Sequence, residues 1–154
     1  AAFDQEPGMS DRTSGYRDGA LEPYGICQVS TPVEDRNGGL PRPSDVARLL
    51  DACDGLMQGQ ACDSDAVLVH CKGGFGRSVV LASCLAISRL DIPGAALLGW
   101  IRIVRPGSFT ASTQESFLAS LKGRRDVLRF AKVAMTEEER GGVNVSCSMP
   151  CQVQ

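Results

Sequence analysis

The hydrophobic positions change spacing along the chain, and the spacing predicts the elements. Residues 1–22 are polar, rich in Gly, Asp, Arg and Ser without a period, and read as a disordered N-terminal segment. Tyr24 to Ser30, a short run between Pro23 and Pro32, predicts a strand. Residues 31–43 hold three prolines and the pair Gly38-Gly39, which predicts a loop. Val46, Leu49, Leu50, Cys53 and Leu56 recur at helical spacing and predict a helix over 45–58, capped by Ser44. Ala66 to His70 is a compact β-type run that reads as a buried central strand, and the glycine-rich stretch 71–76 follows it.

Beyond that stretch the pattern is helical. Arg77 to Leu90 is apolar nearly all round, the mark of a buried helix. Pro93 suits the first turn of a second helix with Leu97, Trp100, Ile101 and Val104 as its inner face, and Pro106-Gly107 stops it. Ser112 and Glu115 have capping-box spacing and start a third helix that runs to about residue 131, with Gly123 as the place where it can break. Residues 134–154, with the acidic run Glu137-Glu138-Glu139, read as a flexible tail. Strand, loop, helix, strand, glycine loop and three helices make an α/β chain. The expected architecture is a central, mostly parallel sheet flanked by helices, with the functional crevice at the carboxyl end of the central strand.

Composition narrows the class. A chain of 154 residues with 43% hydrophobic and 22% charged side chains suits one domain with a core, here expected over 23–133. The net charge of −2 gives no global reason to expect nucleic acid or an anionic membrane as partner. It is uneven: residues 1–70 carry 5 basic and 12 acidic side chains, residues 71–154 carry 11 and 6, so the second half leans towards anions. The seven cysteines are odd in number and include no C-x-x-C pair, and one histidine is too few for a Cys/His zinc site. The chain therefore reads as cytoplasmic or nuclear, with free thiols and without metal, cofactor or membrane span.

The chemistry concentrates in His70-Cys71-Lys72-Gly73-Gly74-Phe75-Gly76-Arg77-Ser78. A glycine-rich loop that opens into a helix presents backbone N–H groups to an anion, and the helix N-terminus adds partial positive charge. No Gly-Lys-Ser/Thr closes this loop, so it is not of the nucleotide type; a cysteine opens it and an arginine closes it. A free thiol titrates near about 8.5, and helix N-termini and cations bring it to about 3.5–7.5, which makes Cys71 a nucleophile at neutral pH. The same donors suit phosphate oxygens, with Arg77 as a bidentate fork and Lys72, Gly73, Gly74, Phe75 and Gly76 lining the bound group. Ser78 can donate to the sulfur and ease its departure, and His70 orients the loop by hydrogen bonds.

This run resembles His-Cys-x-x-Gly-x-x-Arg-Ser/Thr, the signature of the cysteine-dependent protein tyrosine phosphatase superfamily. The resemblance implies a phosphoprotein phosphatase of the dual-specificity branch, working through a cysteinyl-phosphate on phosphotyrosine, phosphoserine or phosphothreonine. It also implies a general acid on an upstream loop. Thr31 to Pro41 resembles that loop, with Asp35 at the acid position and Glu34 as its neighbour. Arg105-Pro106-Gly107-Ser108, Gln114 and Phe117-Leu118 look like a segment of the cyclin-dependent kinase-associated and mitotic-exit groups. There a glutamine positions the hydrolytic water, a role that would fall to Gln114, and a cell-cycle kinase or its substrates would be partners. Family domains carry more strands and a helix before the acid loop than residues 1–22 can supply, so by this resemblance either the catalytic domain is N-terminally truncated here or its sheet is reduced, lacking N-terminal strands. A phosphate-binding fragment without turnover is the alternative in another class. A phosphoinositide or glucan phosphatase is a third reading, disfavoured because inositol-phosphate enzymes use extra loop lysines where this loop has Lys72 alone.

Weaker signals have plain counterparts. Arg102, Arg105, Lys122, Arg124 and Arg125 suit acidic flanks of a substrate or a solvated face. Cys27 and Cys84 read as small buried hydrophobes, with a resolving-thiol role as the lesser alternative. Trp100 reads as core. Cys151-Gln152-Val153-Gln154 has the outline of a prenylation signal, but Gln152 is not aliphatic and the nearby upstream run is acidic, so lipidation at Cys151 is the minor reading.

Overall fold

The structure is a computed structural model that describes residues 20–26, 28–31, 33, 38–58, 66–109 and 111–133. The chain divides into two units, one of Ala1–Ser30 with Asn144–Gln154 and one of Thr31–Val143. In the first, the described residues form a single 3-10 turn, Glu22–Tyr24, closed by N–H groups of Tyr24 and Ile26 on the Leu21 carbonyl at 3.0 and 3.2 Å. Apart from residues 20–22, the expected N-terminal segment and the tail 134–154 lie outside the described residues.

The described residues of the second unit carry five helices: α1 (Pro43–Gln58), α2 (Arg77–Leu90), α3 (Gly94–Val104), α4 (Ser112–Ser120) and α5 (Arg124–Lys132). Their buried faces meet in one cluster around α2, with Val46 and Leu50 from α1, Val80, Cys84 and Ile87 from α2, and Leu97, Leu118 and Val127 from the others. Phe117 and Phe130 join its flank edge to face, with centroids 5.1 Å apart.

The expected α/β sheet is overturned, because among the described residues there is no strand. Residues 66–70 run without regular structure, and Val67 and Leu68 are exposed instead of forming a buried central strand. Tyr24 to Ser30 likewise forms no strand: its start lies in the 3-10 turn, and Tyr24, Ile26 and Val29 are exposed. The reason is non-local. β-Branched residues favour a pleated surface, but a strand exists only where a second row of N–H and C=O groups meets it. The side chains promise a strand at both places, but among the described residues neither finds a ladder partner.

The helix ends are held differently from the sequence expectation. α1 begins at Pro43, the first-turn position that tolerates a missing N–H, so Ser44 lies inside the helix and is not its cap. Asp45, fully buried, accepts from the backbone N–H of Arg42 at 3.0 Å and from its guanidinium at 3.1 Å. Its charge also faces the positive end of the helix dipole. The box expected at Ser112 does not form: Ala111 stands at the N-cap, and Glu115 pairs with Arg102. The helix predicted over 112–131 is two helices, because Leu121 turns extended and α5 starts afresh after Gly123.

α3 corrects the expected inner face. Leu97 is buried and Ile101 partly buried, whereas Trp100 and Val104 are exposed, so Trp100 is not core. The helix is anchored at its start instead. A Cβ at Gly94 would lie 1.9 Å from the Leu118 carbonyl oxygen, and the Gly94 N–H donates to Leu121 O at 2.8 Å. This close approach of α3 to the end of α4 rolls Trp100 outward.

Candidate active site

The loop between residue 70 and α2 curls back on its own cysteine. The Gly74 N–H donates to Cys71 Sγ at 3.2 Å, and Sγ shares a 3.3 Å hydrogen bond with Ser78 Oγ, in which the thiol donates and the thiolate accepts. Gly74 turns the chain with φ +71, a left-handed value that favours glycine. The sulfur thus lies at the start of α2, beside the end of the helix where N–H groups lack partners.

Electrostatics at the sulfur follow from that seat. Partial burial pushes the Cys71 thiol up, but the Ser78 hydroxyl and N–H, the Gly74 N–H and the Arg77 charge together outweigh it, so its pKa lies below the ordinary thiol value. The other described thiols go the opposite way. Burial raises Cys53, and burial pushes Cys84 up to about 12, so Cys84 is an inert core thiol and not a resolving one. Cys27 lies outside the described residues.

The predicted loop residues are brought together: Cys71, Gly74 and Ser78 by hydrogen bonds, Phe75 and Gly76 by packing, and Arg77 at the first position of α2. Lys72 and Gly73 are exposed on the same loop, and His70 is exposed just before it. Arg77 donates through one terminal nitrogen to the Val33 carbonyl at 3.3 Å. That contact joins the loop to the segment expected to hold the acid. Asp35 itself, with Glu34, lies outside the described residues, but its flanks are seated. Val33 meets Arg77, Gly38 O accepts from Thr113 Oγ1 at 3.3 Å, and Gly39 O accepts from Gln114 Nε2 at 3.2 Å. Gly38 has φ +72, and a Cβ there would lie 2.2 Å from the Ala111 Cβ, so this segment reaches its seat only through glycine.

Gln114 is buried behind the loop. Its amide lies 3.0 Å from where a Cβ at Gly76 would sit, and its buried Oε1 has no hydrogen-bond partner among the described residues. The basic residues expected to meet substrate flanks are instead largely occupied. Arg102 pairs with Glu115, and Arg124 donates to the carbonyls of Ser88 and Arg89 at the end of α2. Arg124 and Arg125 also line a groove of about 670 Å³ along α5, with Asp91, Leu128, Arg129, Lys132 and Val133, that shares no residue with the loop. Arg105, which the sequence places in the family-like segment 105–108 and offers as a cation for substrate flanks or solvent, packs on the glycine loop instead. Its Nε donates to the Gly74 carbonyl at 3.0 Å, and its guanidinium lies 5.1 Å from the centre of the Phe75 ring. The adjoining Pro-Gly turn, which lets the chain double back to Phe75, was the available signal.

Among the described residues no cluster of His, Cys, Asp or Glu could hold a metal, and no helix is long and apolar enough to cross a membrane. Cys151, where lipidation is the minor reading of the sequence, lies outside the described residues.

Comparisons with known proteins agree with the resemblance carried by the loop. The dual specificity protein phosphatase CDC14A of Homo sapiens is 32% identical over 132 residues, 84% of this chain and 20% of that protein. The dual specificity protein phosphatase CDC14AB of Danio rerio is 38% identical over 92 residues, 56% of this chain and 14% of that protein. The tyrosine-protein phosphatase cdc-14 of Caenorhabditis elegans is 34% identical over 79 residues, 51% of this chain and 11% of that protein. The chain spans a fifth or less of the length of these relatives. Neither a family model nor a solved structure matches it.

Proposed function

We propose that this chain, a homologue of the CDC14 dual-specificity phosphatases, is a protein phosphatase acting through Cys71. The observation that carries the reading is the seat of the sulfur: the Gly74 N–H at 3.2 Å and Ser78 Oγ at 3.3 Å favour the thiolate at the mouth of α2. The Cys71 thiolate attacks phosphorus in line, the phosphorus–oxygen bond to the leaving group breaks, and Asp35 gives that oxygen its proton. The loop N–H groups and Arg77 hold the equatorial oxygens, where donors aimed at developing charge contribute most. Water then attacks the cysteinyl-phosphate with Asp35 as base and Gln114 positioning it. Inorganic phosphate leaves, and Ser78 stabilises the departing sulfur. His70 orients the loop, and Lys72, Gly73, Gly74, Phe75 and Gly76 line the phosphate. The substrates are phosphorylated proteins, on tyrosine, serine or threonine, with a cell-cycle kinase or its substrates as partners.

A second reading has its own observation. Among the described residues no strand braces the loop, which suits a loop that binds phosphate without turnover. Phosphate release from an aryl phosphate in EDTA, paired with a thermal melt in tungstate, separates the two. Turnover abolished by Cys71→Ser supports the enzyme, and stabilisation by tungstate without turnover supports the binder.

A further inference from the structure

The phosphate loop is held from outside by the segment Arg105–Phe109, which connects α3 to α4. Arg105 Nε donates to the Gly74 carbonyl at 3.0 Å, and the Phe109 N–H donates to the Phe75 carbonyl at 2.7 Å. Two successive carbonyls are therefore turned towards this segment. In a planar trans peptide the C=O and the following N–H point to opposite sides. The N–H groups of Phe75 and Gly76 must then face away from the Arg105–Phe109 segment. The fit is close on the outer side. The Arg105 guanidinium covers the Phe75 ring at 5.1 Å, and the space where a Gly107 Cβ would sit lies 3.9 Å from that ring. A Cβ at Gly74 would meet the Arg105 guanidinium at 2.9 Å. Phe109 makes its bond from a left-handed backbone, φ +63, while its side chain is buried. A non-glycine residue in that conformation marks a backbone held by its surroundings.

We propose that Arg105 is a positioning residue of the phosphate loop: through the Gly74 carbonyl and the Phe75 ring it fixes the peptide planes whose N–H groups hold the oxyanion. The inference rests on the reading of Cys71 as a loop-bound nucleophile. Arg105 contacts neither the sulfur nor the substrate in this role. A lysine keeps the charge but cannot both donate to the carbonyl and lie flat on the ring, so the planar fork is the active feature.

The test does not depend on turnover. Alkylation of Cys71 by iodoacetamide is followed at about pH 6.5, read at that residue by peptide mass spectrometry, with and without tungstate. Loss of one solvent-exposed hydrogen bond worth about 1 kcal/mol corresponds to about fivefold. R105A and R105K are each expected to alkylate about fivefold more slowly and to need about fivefold more tungstate for protection. R102Q removes a nearby charge without touching the loop and is expected to match the unaltered chain. Unchanged alkylation and protection in R105A would overturn the proposal. Full rescue by R105K would too, because the effect would then be charge alone. If the Arg105 variants lose their cooperative helical melt, F75L decides: it keeps the carbonyl bond and removes the ring, and an unchanged rate and protection overturn the proposal. Should every chain lack phosphatase turnover while these differences hold, the enzymatic reading fails and this one stands.

Discussion

Gly76 and Gln114 meet with no room between them: a Cβ added to Gly76 would lie 3.0 Å from both amide heteroatoms of the glutamine. Gln114 is 2% exposed and tied to the Gly39 carbonyl at 3.2 Å, so it has little freedom to withdraw. Gly76→Ala is expected to cost about 1–3 kcal/mol by overpacking and to loosen the seat of the acid loop. A urea melt and the rate of aryl phosphate hydrolysis check both parts. An unchanged melt would mean that Gln114 can move aside.

Gly94 is a harsher case, because the neighbour is backbone. With the Leu118 carbonyl oxygen 1.9 Å from the position of its Cβ, Gly94→Ala forces α3 and α4 apart. The expected cost is about 3 kcal/mol or more, seen as a large fall in urea midpoint. Gly99, whose Cβ would meet nothing within 4 Å, is the control and should tolerate alanine.

Legibility from the sequence follows the range of the interactions. The bounds of α2 and the grouping of Cys71, Gly74 and Ser78 depend on residues within a few positions of one another, and both are present. The predicted core positions Val46, Leu50 and Cys53 are buried for the same reason. The strands over 24–30 and 66–70 fail because a strand needs a distant partner that side-chain type does not name. Trp100 fails because the roll of α3 is set by Gly94 against Leu118, a contact 24 residues apart in sequence. Ser44 is a sound cap residue displaced by Pro43 with Asp45, whereas at α4 Ala111 stands at the N-cap without a side-chain bond and Glu115 pairs with Arg102 instead. Arg105 stayed hidden because its partner, Gly74, is brought to it by the chain reversal at 105–109.

The ends of α2 and α5 hold one another through Arg124 and Asp91. Asp91 takes the left-handed C-cap of α2 and accepts the Arg124 N–H at 2.8 Å, while the Arg124 side chain donates to Ser88 O and, at 2.7 Å, to Arg89 O. Those carbonyls belong to the last turn, which has no partners within the helix. Arg124→Ala is expected to lower stability by about 1–2 kcal/mol, and Arg124→Lys to recover only part of it. Chemical denaturation of the two variants measures this.

The two thiols of α2 and its loop give opposite pH dependences. Cys71 has a lowered pKa in the folded chain, so its contribution is present above the ordinary thiol value and is lost as pH falls through the folded value. Cys84 is pushed up to about 12, so its contribution is full below the ordinary thiol value and is lost as pH rises towards about 12. The stability of the unaltered chain relative to Cys71→Ser should therefore grow as pH rises from about 5 to about 9. Thermal melts across that range test the sign, and a flat difference would contradict the placement of the Cys71 sulfur.

The central claim is that Cys71 becomes phosphorylated during turnover. Its most direct test is to mix the chain with an aryl phosphate in EDTA, quench in acid within the first turnover, and map the phosphate by mass spectrometry. The account predicts phosphate on Cys71, formed more slowly with Asp35→Ala because the leaving oxygen loses its acid, and none with Cys71→Ser. Turnover with no phosphate at Cys71, or with Cys71→Ser as active as the unaltered chain, would contradict it.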